Sequence, residues 1–279
     1  MLKAVTITAR RRIYWVLFAF ACLGLAASAF LAMPVFTGKA DTSFLQASGG
    51  LPQVAFLGAS LPSPSLAAAG VLLSALFSSL CLGYVLYSFR KTVSSEIFFF
   101  AFWVLSLAFE SGRLAVFSLA SGGAPTRLVL AATRLVLAGR FCGVLSIFAA
   151  GLYAAGFRNE KLGSVLLFVV VIGGTLAWAV PLNTGVYEAT LLVRPGYAKL
   201  LELLALLAGL ATAANFVYAV NSTGERSYRT VALGAAALLL GQRLLVTQVA
   251  PLALALGFAL LLAGAWLFVS RLHAYYLWQ

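Results

Sequence analysis

The chain has 279 residues, 63% of them hydrophobic and only 9% charged, with a formal charge of +12 and a mean hydropathy of +1.03. Soluble domains are about 45–50% apolar and about 25% charged, so a soluble fold is excluded and an all-α, polytopic membrane helix bundle is the direct reading. The positive balance does not make a nucleic-acid surface, because no Lys/Arg run has the length or the interleaved aromatics of one. Basic residues here set membrane topology and meet anionic headgroups.

The first apolar segment, residues 13–33, follows Arg10, Arg11 and Arg12 and opens on Tyr14 and Trp15. It exceeds the ~7–15 residues of a signal-peptide core, so it is read as a retained first span. A linker rich in Gly, Ser and Pro follows at 34–66. Further spans are expected at 67–88, 97–119, 128–156 and 163–180. A second long linker occupies 181–197, and the last spans run over 198–220, 231–249 and 251–270. Each is long enough for a hydrocarbon core of ~30 Å at ~1.5 Å per residue. The final two are separated only by a few residues around Pro251. Either a tight turn joins two full spans, or the pair is re-entrant and the count is seven; eight is the expectation. Residues 1–279 form one integral membrane domain.

Lys and Arg then orient the bundle. Lys3, Arg10, Arg11, Arg12, Arg90, Lys91, Arg158, Lys161, Arg226, Arg229 and Arg271 fall on one side, against Lys39, Arg127, Arg194 and Lys199 on the other. The richer side is the cytoplasmic one, which puts both termini in the cytoplasm of a multi-pass protein of a cell membrane, read as a prokaryotic inner membrane. In this topology the sequon at Asn221 faces inward and is set aside.

Small residues recur at helix-packing intervals. Ala205, Gly209 and Ala213 form one stripe; Gly234 with Gly241 and Gly257 with Gly264 are heptad pairs. Such stripes let backbones approach where lipid supplies no hydrophobic drive between helices. A weak internal likeness joins residues 112–120 to 242–250, which suits a four-plus-four repeat.

The charges inside the spans carry the functional argument. A charge at a helix centre costs about 2.5–3.5 kcal/mol on insertion scales. Glu110 and Arg113 sit three residues apart and share one helix face. Arg134 and Arg140 fall in the fourth span, Glu202 near the start of the sixth, and Gln242 and Arg243 in the seventh. Arg113, Arg134 and Arg243 each lie about six residues from the same boundary, roughly 9 Å deep, so they are expected to meet at one level. Four guanidiniums against two carboxylates leave a cationic surplus that calls for carbonyls, water or an anion. Glu110, Arg113, Arg134, Arg140, Glu202, Gln242 and Arg243 are therefore the candidate site for an anionic small molecule or a lipid headgroup.

Other chemistries find little support. His273 is the sole histidine, which excludes bis-His haem ligation within the chain. Cys22, Cys81 and Cys142 form no CxxC pair and read as small apolar side chains. No Walker, HExxH or GxSxG motif is present, and Asp41 is the single Asp. No cofactor or metal is expected, and catalysis is expected only if Glu110 alone serves as an acid or base. The reading is a sensory or regulatory membrane module, or an accessory subunit working with other membrane subunits. Its alternative is a transporter or lipid-handling protein for an anionic substrate.

Overall fold

The computed structural model describes residues 7–39, 45–46, 63–89, 94–157, 162–224, 227–247 and 250–277. Lys3, Asp41, Arg90, Lys91, Arg158, Lys161, Arg226, Gln248 and most of the 34–66 linker lie outside these residues.

Nine α-helices account for most of the described chain: α1 (Ile7–Phe36), α2 (Pro64–Ser88), α3 (Ser95–Ala108), α4 (Gly112–Ser121), α5 (Thr126–Ala154), α6 (Leu162–Ala179), α7 (Ala198–Thr223), α8 (Ser227–Thr247) and α9 (Pro251–Leu277). A 3-10 turn, Phe109–Ser111, joins α3 to α4, so the two make one span over Ser95–Ser121. Among the described residues eight helical segments are thus long and apolar enough to cross a membrane, and the chain is a multi-pass, all-α membrane bundle. The last pair settles as two full helices, α8 and α9, so the seven-span alternative falls away.

α3 is the central element. Its run Ile97–Trp103 is apolar on every side, as a helix surrounded by neighbours requires, and Phe98, Phe99, Phe100 and Trp103 are all buried. Phe100 stacks on Phe268 of α9 with ring centroids 4.6 Å apart. Ser94 caps the helix by accepting the amide proton of Ile97, which satisfies one of the orphan donors of a first turn. By contrast α1, α6 and α7 turn most of their surface outward. Their long apolar side chains, Phe168 and Leu204 among them, are exposed, as lipid-facing residues are.

The α8–α9 hairpin is the closest pairing. A Cβ on Gly241 would lie 2.7 Å from the carbonyl oxygen of Gly257, and one on Gly234 would lie 3.0 Å from that of Gly264. The two heptad glycine pairs therefore face each other, as their spacing suggests. The stripe on α7 behaves differently. Only the Leu239 side chain, at 3.6 Å, would meet a Cβ on Gly209; this stripe borders open space, not a neighbouring backbone.

One end of the bundle carries a small sheet. β1 (Leu45–Gln46) pairs in parallel with β2 (Leu182–Glu188), which pairs antiparallel with β3 (Val193–Pro195). Strands in the 181–197 linker are absent from the expectation of a plain connection. Main-chain groups near a membrane surface need partners, and the sheet supplies them. Leu191 takes a positive φ of 65° in the β2–β3 turn and is buried there with Leu192 and Val193. Apolar anchors thus pin the turn down onto the helices.

Candidate functional site

The site begins with a glycine notch. Gly139 and Gly143 lie one turn apart on α5, and a Cβ on Gly139 would sit 2.6 Å from Cβ of Phe109. The 3-10 turn therefore rests directly on α5, and Glu110 meets Arg140, the residue next to Gly139. Arg140 donates from Nε to Glu110 Oε1 and from Nη2 to Oε2, both at 2.8 Å, the forked geometry that makes Arg–carboxylate pairs strong. Arg113 donates from Nη1 to Glu110 Oε2 at 3.5 Å and from Nε to the carbonyl oxygen of Thr190 at 2.6 Å. Glu110 and Arg113 are each 1% exposed. Thr190 in turn donates its hydroxyl to Glu188 Oε2 at 3.1 Å. One network thus ties the third span, α5 and the β2–β3 turn together.

A cavity of about 450 Å³ lies beside this network, between α5, α7, α8 and the sheet. Its walls divide by polarity. Towards the sheet they carry Arg140, Glu188, Glu202, Gln242 and Arg243. Deeper in, Phe141, Val144, Gly209, Ala213 and Leu239 leave it purely apolar. From Glu202 to Ala213 the α7 wall runs roughly 16 Å at ~1.5 Å per residue, about half of a ~30 Å hydrocarbon core. Arg243 Nη2 stands 3.8 Å from Glu202 Oε2, close enough for an ion pair but too far for a hydrogen bond. The two side chains remain 28% and 25% exposed. Gln242 is engaged on its other side, where its Oε1 accepts the Trp103 indole N–H at 3.0 Å.

The seven expected residues therefore do not form one group. Arg140, Glu202, Gln242 and Arg243 line the cavity. Glu110 and Arg113 are sealed behind Arg140 and outside the lining; Glu110 acts as an internal counter-ion, with both oxygens taken up by guanidiniums. Arg134 leaves the cluster altogether. Its guanidinium carbon lies 4.2 Å over the Trp178 ring of α6, a cation–π contact that draws the side chain towards α6. Equal depth along different helices did not fix which way each side chain points.

Glu188 and Thr190 are the lining residues that the sequence reading missed. Their signal was the lone carboxylate within an over-long connection, and only the strand pairing brings it over the cavity. With Glu188 counted, the cationic surplus narrows to one guanidinium. Glu110, Glu188 and Glu202 face Arg113, Arg140 and Arg243, while Arg194 stands at the rim, 4.0 Å from Glu188 and 40% exposed.

Cys81 is buried and Cys22 and Cys142 are half-buried, all as free thiols. Among the described residues no three or more His, Cys, Asp and Glu side chains gather as a metal site would require. Compared with protein-family models, curated proteins and solved structures, the chain gives no match to any of them.

Proposed function

We propose that the chain is a sensory or accessory membrane module that binds an amphiphile, a lipid with an anionic group in its head, in the cavity between α5, α7 and α8. The observation that carries this reading is the division of the cavity wall, with charged groups at the sheet end and apolar residues for half a bilayer below. A headgroup pairs with Arg243 and the free donors of Arg140, and one chain lies along Ala205, Gly209 and Ala213. Lipid reaches the cavity past α7, the helix whose surface is most outward-facing. Binding is favoured over transport on two grounds. The deep half of the cavity lining carries no charged residue, and the third span passes through its 3-10 turn in ordinary right-handed backbone (Phe109 φ −66°, Gly112 φ −59°), without the unwound segment typical of transporter sites.

Gly209→Leu tests the reading without touching a charge. Its side chain enters the cavity, and replacing a helical Gly favours the helix by about 0.5–1 kcal/mol. Purified Gly209→Leu is expected to keep its thermal stability while co-purifying lipid, read by native mass spectrometry, falls about tenfold. Arg243→Gln is expected to weaken retention to a similar degree. Unchanged retention in Gly209→Leu overturns the reading.

The module's orientation is part of the same proposal: both termini lie in the cytoplasm and the sheet on the opposite face. The support is the excess of Lys and Arg on the terminal side. In a chain lacking its native cysteines, Lys39→Cys is expected to react with an impermeant maleimide on intact cells, and Arg229→Cys only after permeabilisation. The reverse pattern inverts the topology.

A further inference from the structure

Resting on the amphiphile reading above, we infer that the bound headgroup is zwitterionic, a phosphate diester carrying a primary ammonium as in a phosphoethanolamine lipid. The cavity wall holds two guanidiniums, Arg140 and Arg243, and two carboxylates, Glu188 and Glu202. Behind it, Glu110 and Arg113 balance each other. Arg194 is held at the rim by Glu188, and Arg134 is committed to Trp178 on another face. With Arg194 counted, three guanidiniums at the wall and rim stand against two carboxylates, so a purely anionic headgroup would offset the surplus but leave Glu188 and Glu202 facing its charge. A zwitterion also brings those two carboxylates a cation.

Hydrogen-bonding capacity points the same way. Among the described residues Glu202 accepts no side-chain hydrogen bond and meets Arg243 only at 3.8 Å. Glu188 accepts one, from Thr190, and an ionised carboxylate has room for about four. Arg140 spends Nε and one proton of Nη2 on Glu110, which leaves the Nη1 protons among its five donors. So the wall offers open acceptors beside open donors. A primary ammonium brings three N–H donors for Glu188 and Glu202, and a phosphate diester brings acceptors for Arg140 and Arg243. A choline headgroup has the same charges but no N–H to donate.

The test is lipid exchange into the detergent-purified full chain from equimolar phosphatidylethanolamine, phosphatidylcholine and phosphatidylglycerol with identical acyl chains, read by native mass spectrometry. Phosphatidylethanolamine is expected to be retained about tenfold over either competitor. Glu202→Gln, which removes one ammonium partner, is expected to bring the preference over phosphatidylglycerol below about threefold. A wild-type preference under about threefold, or one unchanged in Glu202→Gln, overturns the zwitterion assignment while lipid retention itself stands. If wild-type chain retains none of the three, or Gly209→Leu retains as much as wild type, the amphiphile reading fails and the assignment falls with it. Thermal stability measured on each variant separates loss of binding from loss of fold.

Discussion

Glu110→Gln is expected to cost about 3–5 kcal/mol, the penalty for removing one partner of a buried ion pair. The substitution keeps the shape of the side chain and removes its charge. It leaves Arg113, 1% exposed, with the Thr190 carbonyl as its near partner. Arg140 loses the fork that holds it against the third span. Two guanidiniums are then left without their shared carboxylate, Arg113 sealed in the protein and Arg140 at the cavity wall. In detergent the variant's Tm should fall by on the order of 10 °C. The double variant Glu110→Gln with Arg140→Gln should recover part of that loss, because one of the stranded charges is gone; a coupling of about 0.5–3 kcal/mol is expected between the two sites. A single variant within about 1 kcal/mol of wild type would mean that Glu110 is not the counter-ion of this core.

The bundle was legible in the sequence because membrane spans obey one strong rule. Backbone groups in hydrocarbon must be satisfied within the segment, so length and apolarity suffice to find the helices. All eight expected spans match helices of the structure, with ends moved by a few residues. The expectation for residues 97–119 missed the 3-10 turn at Phe109–Ser111, since nothing in an apolar run marks a change of helical pitch. Site geometry was legible only where it is local. Glu110 and Arg113 pair because three residues separate them on one span. Their partner Arg140 requires knowing that Gly139 brings α5 against that turn and Gly143 brings it against Ser106 of α3, and this glycine pair, four residues apart, is the sequence signal for the contact. Arg134 shows the opposite case: an argument from depth says nothing of which neighbour a long side chain reaches, and this one reaches Trp178. The heptad glycines of α8 and α9 announced a close crossing and made one. The Ala205–Gly209–Ala213 stripe announced the same and instead lines the cavity. A run of small residues permits a close approach; whether one occurs depends on the neighbour.

Gly241→Leu is expected to be the most damaging substitution outside the charge network. A Cβ at this position would lie 2.7 Å from the Gly257 carbonyl oxygen and 3.0 Å from the Leu261 amide nitrogen. These are backbone atoms of α9, which no side-chain rotation can move aside. The crossing is also closed from the other side, where a Cβ on Gly257 would lie 3.0 Å from the Gly241 carbonyl. The helices must therefore separate, and overpacking of this kind costs about 1–3 kcal/mol or more. Separation also displaces Gln242 and Arg243, the next two residues on α8, so lipid retention should fall together with Tm and with the monodisperse peak in size-exclusion chromatography. Gly174→Leu is the matched control: nothing lies within 4 Å of its would-be Cβ, and that variant should behave as wild type in all three measurements. If Gly241→Leu does so too, the two helices do not cross at this glycine, and the cavity wall built on α8 has to be placed anew.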